Sequence, residues 1–168
     1  MMRSYLVWAL AIGLLAMAPA RASNTDPKYK NVEARHFDRA EGVELTPDFS
    51  DYLNAELRAE LEKTKLFGQV IGEGEVVDDA DAASSVVVSG TLTEYKKGNI
   101  AKAVIIGYGA GNRSLKMQVN VARHSDQKNL AMFEVTVRAD PRWNEKILAK
   151  EAAKQVVKKI KDSLEHES

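Results

Sequence analysis

Cysteine is missing from all 168 residues. Its absence excludes disulfides, thiolate metal centres, cysteine nucleophiles and lipid anchoring through an N-terminal cysteine. It does not argue against export, because a mature chain of ~145 residues can bury a core without cross-links. Net charge is lacking as well, with 24 basic and 24 acidic residues. Losing residues 1–22 would remove Arg3 and Arg21 and leave 22 basic against 24 acidic side chains. The global charge therefore favours neither nucleic acid nor an anionic membrane as a partner. Long apolar runs are scarce too, with a single exception at the start of the chain.

That run, Tyr5 to Ala18, is uncharged and mostly apolar and follows Arg3. Pro19 breaks any helix, and Ala20-Arg21-Ala22 offers the small-x-small pattern of a signal-peptidase site. The pattern predicts a signal peptide over 1–22, with cleavage between Ala22 and Ser23. A spanning helix needs ~20 apolar residues, so the run is short for a permanent anchor, and an uncleaved anchor is the competing reading. Residues 23–30, polar and carrying Pro27, read as a flexible leader to a single domain over 31–165.

Within that domain, Val32, Ala34 and His36 alternate with Glu33, Arg35 and Phe37 as a weak first strand. Thr46-Pro47-Asp48 has the chemistry of a helix start, with Thr46 as cap and Pro47 at the first helical position. Phe49, Leu53, Leu57 and Leu61 then repeat every four residues as one apolar stripe. Phe67 to Ile71 predicts a second strand and Ser85 to Tyr95 a third, in which Gly90 marks a bulge or a close backbone approach. Leu115, Met117, Val119 and Val121 alternate with polar residues, as do Phe133, Val135 and Val137, so 113–138 predicts an antiparallel hairpin. Asp140-Pro141 opens a last helix with an apolar face from Ala149 to Leu164. The expected class is α+β: a mixed or antiparallel sheet of about five strands in the order β-α-β-β-β-β-α, with two helices on one face.

Chemistry-bearing motifs are few. Residues 104–112, VIIGYGAGN, have glycine spacing near that of a dinucleotide-binding turn. However, Asn112 stands where the third glycine belongs, and strand rather than helix period follows, so no helix N-terminus meets a phosphate. Gly107, Gly109 and Gly111 instead predict an extended segment with one glycine face open to a close neighbour, and Tyr108 and Ala110 on the other. Glu73, Glu75, Asp78, Asp79 and Asp81 could supply oxygen ligands to calcium, but they lack calcium-loop spacing and read as a solvated connection, with Asp81 capping a turn. Lys150, Lys154, Lys158 and Lys161 stripe the last helix and read as a solvated flank, the alternative being contact with anionic head groups or an acidic partner. His36, His124 and His166 show no ligand spacing, and no nucleophile sits beside an evident base. No catalytic residue, metal or cofactor is assigned.

Gly98-Asn99 after a strand, an apolar run, Gly107-Tyr108-Gly109-Ala110-Gly111, then an alternating strand and a turn with Asp126 together resemble a bacterial envelope family. That family is known only as domain of unknown function forty-four-ten, and the likeness spans roughly residues 29–160. It implies an exported domain, commonly a lipoprotein, with no known activity, cofactor or binding residue. The chain departs from it in having no lipidation cysteine and in having Asn129 where a turn glycine is usual. The expectation is a periplasmic, non-catalytic module that binds an envelope protein or another envelope component, with a strand edge or the segment Gly98, Gly107, Tyr108, Gly109 and Gly111 as its contact. A carrier of an apolar ligand between helices and sheet, or a hydrolase with unrecognised carboxylates, are the alternatives.

Overall fold

The structure, a computed structural model, describes residues 29–106 and 111–165. Residues 23–28 of the expected leader, the processing residues Ala20, Ala22 and Ser23, and Gly107, Tyr108, Gly109 and His166 lie outside the described residues, whereas Tyr29 and Lys30, expected in the leader, open the first strand.

The domain is α+β. In chain order its elements are β1 Tyr29–Ala34, β2 Asp38–Arg39, α1 Phe49–Thr64, β3 Phe67–Gly72 and α2 Asp79–Ala82, then β4 Ser85–Lys96, α3 Ile100–Ile106, β5 Arg113–Arg123, β6 Asn129–Ala139 and α4 Glu145–Glu165. The strands form one sheet in the order β3-β1-β4-β5-β6, with β2 continuing alongside β4. β1 lies parallel to β3 and β4, whereas β4, β5 and β6 are antiparallel. α1 is thus the crossover between the parallel strands β1 and β3, and the hairpin β5–β6 completes the sheet, as its alternation predicts.

One face of the sheet carries the core. Val88 pairs with Val121, Leu92 with Met117, Leu115 with Val137 and Met117 with Val135, so each pair shares a face. All of these side chains are buried. Against them pack Phe49, Leu53, Leu57 and Leu61 of α1 and Leu148, Ala152, Val156 and Ile160 of α4. The four-residue stripe is the reason α1 is a helix in this context: marginal propensity is fixed by one apolar face docking on the sheet.

Four local expectations change. The first strand is Tyr29–Ala34 rather than 32–37: Phe37 turns back into the core, and His36 faces outward. The reason lies in β4, where a β-carbon on Gly90 would fall 2.6 Å from the Phe37 ring, so the glycine makes room for that ring. The bulge falls beyond it, between Leu92 and Glu94. Thr46 does not cap α1, which begins at Phe49; its hydroxyl donates instead to the Glu145 carboxylate. Arg39 holds that turn by donating to the carbonyls of Leu45, Thr46 and Pro47 at 3.0, 2.7 and 2.9 Å. α4 starts at Glu145, and its cap is Asn144, whose side-chain oxygen accepts from the Ile147 N–H at 2.9 Å. Asp140 forms the preceding turn with Arg142. Finally, two stretches expected to be irregular or extended are short helices, α2 and α3.

Candidate functional site

The segment joining β4 to β5 carries the features singled out in the sequence. Gly98 and Gly111 stand at its two ends. A β-carbon on Gly98 would lie 2.6 Å from Cα of Pro141 and 2.9 Å from the Arg113 side chain. Gly111 has φ +82° and would drive a β-carbon into the Asn99 carbonyl oxygen. It is therefore in the left-handed region and not extended, which corrects the expectation for that glycine. Between the glycines, Asn99 closes the loop: its N–H donates to the Gly111 carbonyl at 2.7 Å, and its side-chain oxygen accepts from the Lys102 N–H at 3.0 Å. The second bond is an N-cap, and it starts α3, a helix that the sequence reading does not place.

α3 buries none of its residues. Ile100, Val104, Ile105 and Ile106 are 55%, 77%, 83% and 69% exposed. At 100° per residue these four point to several sides of the helix. Other exposed large apolar side chains, Val76, Met132 and Ile147, are scattered singly. Beside α3 lies an open depression of about 560 Å³, walled on the opposite side by Arg138, Ala139, Pro141, Arg142 and Trp143. Arg142 reaches Asp140 at 2.7 Å, and the two charge-assisted bonds from Arg142 hold the Asp140 carboxyl down at about 2. A second depression next to it is lined by Tyr95, Lys97, Arg113, Glu44 and Glu145. Burial raises the Tyr95 hydroxyl above its ordinary range.

A separate charged cluster, which the sequence did not disclose, lies around the C-terminal end of β1. Glu33 is only 4% exposed. Its carboxylate takes two bonds from the Arg35 guanidinium, at 2.9 and 3.2 Å, and has His124 Nε2 at 3.4 Å. The Glu33 bonds also raise the Arg35 pKa, although Arg35 is charged at any physiological pH. Nearby, His36 meets Glu73 through both its backbone N–H, at 3.1 Å, and its Nδ1, at 2.9 Å, and has Asp51 at 3.4 Å from Nε2. The bonds from His36 hold the Glu73 carboxyl below its usual range. Among the described residues, the two histidines, His36 and His124, are thus each paired with carboxylates. One signal was available: Glu33 and Arg35, two apart in a strand, share a face and can pair. His124 arrives only through the β4–β5 register, which no local pattern encodes.

These groups satisfy one another. The buried Glu33 carboxylate is spent on Arg35 and His124, and Glu73 is spent on His36, which ties the ends of β1, β3 and β5 together. Among the described residues, no three histidine, aspartate or glutamate side chains converge as metal ligands. In the exposed acidic connection 73–83, Asp81 pairs with Lys30 at 2.5 Å, its carbonyl accepts from Ser85, and Glu75 accepts from the Gly72 N–H, while Asp78 and Asp79 face solvent. Lys150, Lys154, Lys158 and Lys161 are exposed along α4.

The family model for the domain of unknown function DUF4410 matches residues 19–139. The chain belongs to that family. Solved structures share the fold of this DUF4410 domain. The PelC dodecamer from Paraburkholderia phytofirmans superposes with a TM-score of 0.56 at 13% identity, covering 77% of this chain and 86% of that one. Protein XCC0632 from Xanthomonas campestris, of family DUF330, gives 0.52 at 13% identity, covering 80% and 83%. At such identities the likeness is one of fold. No curated protein matches the sequence. No helix among the described residues is long and apolar enough to cross a membrane.

Proposed function

We propose that this DUF4410 protein is an exported, non-catalytic module of the cell envelope that makes contact with an envelope component through α3. The observation that carries the reading is the concentration of four large exposed apolar side chains on one seven-residue helix. Such a patch is unusual on a soluble domain and marks an interaction site. Its frame supports the same reading: an Asn99 cap and two glycines that tolerate no β-carbon hold α3 in one place, so its exposure is a built feature. The ionisable groups around the end of β1 are spent on one another, which favours a structural role for them over catalysis. The space between helices and sheet, where an apolar ligand might have been carried, is filled by fully buried side chains. For export, the support is the run Tyr5–Ala18 followed by Ala20-Arg21-Ala22.

Fractionation of cells producing the full chain tests both parts. The expected product begins at Ser23 by mass and sediments with the envelope, whereas Ile105→Asp/Ile106→Asp, which alters only exposed positions, is released into the soluble periplasm. Full-length protein in the cytoplasm would sink export. Identical fractionation of parent and variant would sink the role of α3.

A further inference from the structure

We infer that the occupant of the α3 surface is an anionic lipid surface, into whose interface α3 inserts; the inference rests on α3 being the contact. Two observations choose lipid over protein. The first is the distribution of apolar groups around the helix. Ile100 and Val104 fall on one side, Ile105 and Ile106 on two others, and all four are exposed. A groove on a protein partner covers one face of a helix, whereas exposed apolar side chains on several sides favour an apolar phase. α3 has seven residues, far short of the ~20 needed to span, so the contact is interfacial.

The second is local charge. Lys102 lies on α3 itself, and Arg138 and Arg142 wall the depression beside it. Lys97 and Arg113 flank Gly98, at the near end of the segment. Three acids face the same rim: Asp140, paired with Arg142, and Glu44 and Glu145, which line the second depression with Lys97 and Arg113, so the five cations exceed the acids by two. Lys102 and Arg138 have no ion pair among the described residues. The whole chain is neutral, but a membrane surface reads charge over about 10 Å, and over that range the rim of α3 is basic. A second copy of the chain would bring two such basic rims together, whereas phosphate head groups complement them. The Lys102 stem can lie along the apolar helix while its ammonium reaches the head groups.

Sedimentation with lipid vesicles tests this. The chain from Ser23, which contains every described element, is mixed with vesicles of phosphatidylglycerol and phosphatidylethanolamine, or with phosphatidylcholine alone. Parent protein should pellet with the anionic vesicles and about tenfold less with the zwitterionic ones. Ile105→Asp/Ile106→Asp and Lys102→Glu/Arg138→Glu should each lower partitioning into anionic vesicles by about tenfold or more while melting in urea like the parent. Parent protein that stays in the supernatant, or variants that pellet equally well, would overturn the inference. If vesicle binding fails yet Ile105→Asp/Ile106→Asp still leaves the envelope fraction of cells, α3 remains the contact and its occupant is a protein. If that variant also keeps its place in cells, both readings fall together. Parent protein that self-associates by gel filtration, with no vesicle binding and with monomeric variants, would assign α3 to a second copy and likewise overturn the lipid reading.

Discussion

At Gly111 the backbone sits at φ +82°, and a β-carbon there would meet the Asn99 carbonyl. That carbonyl already accepts the Ala103 N–H inside α3, so it cannot easily retreat. Gly111→Ala should therefore strain both the turn and the helix it closes, with an expected loss of ~1–3 kcal/mol in urea melts. A melt superimposable on the parent's would mean that the loop yields and that α3 is not rigidly framed. Gly90 shows the other use of glycine, where the missing side chain gives the Phe37 ring a place in the core. The period-two spacing of glycines at 107, 109 and 111 implied extended chain; at Gly111 the chain makes a left-handed turn instead, because glycine spacing by itself does not distinguish the two. Asn99, an N-cap residue before an apolar run, was the better signal for α3. Glu33 was hidden for a different reason. An alternating strand places it on the polar face beside Arg35, and only the fold brings His124 over it and closes it from solvent.

The longer elements were readable because each rests on one strong period. β5 and β6 alternate cleanly, and every predicted inward residue of β5 is buried. The apolar faces of α1 and α4 were equally plain, and the two helices lie together on one side of the sheet. Leu57→Ala should cost about 2–5 kcal/mol in urea denaturation, because a fully buried side chain is lost from the layer between α1, α4 and the sheet. Lys154→Ala, on the exposed flank of α4, should stay within about 0.5 kcal/mol. Equal losses from the two would contradict the assignment of faces. Helix starts were less legible. Thr46-Pro47-Asp48 and Asp140-Pro141 both carry capping chemistry, yet the observed starts are Phe49 and Glu145. In each case a tertiary or neighbouring partner, Glu145 for Thr46 and Arg142 for Asp140, takes the oxygen that sequence assigns to a cap. α2 and α3 escaped because a helix of one or two turns has too few residues to show a period.

Across the whole molecule, two surfaces differ in kind. On one, charged side chains are paired with each other and tie the ends of β1, β3 and β5 together. On the other, an apolar helix stands exposed within a rim of net positive charge. Composition averages over both and reports a neutral, ordinary chain, which is why the global charge gave no hint of a surface with a preference. The family match and the shared fold with the PelC dodecamer and XCC0632 set the architecture, while the contact surface has to be argued from α3 itself. The most direct test is photo-cross-linking in living cells from a reactive residue placed at Ile105, with the same residue at Lys154 as control. Adducts to lipid or to an envelope protein from position 105, and none from position 154, are the expected result. No adduct from position 105, or the same adducts from both positions, would contradict the proposal that this domain meets the envelope through α3.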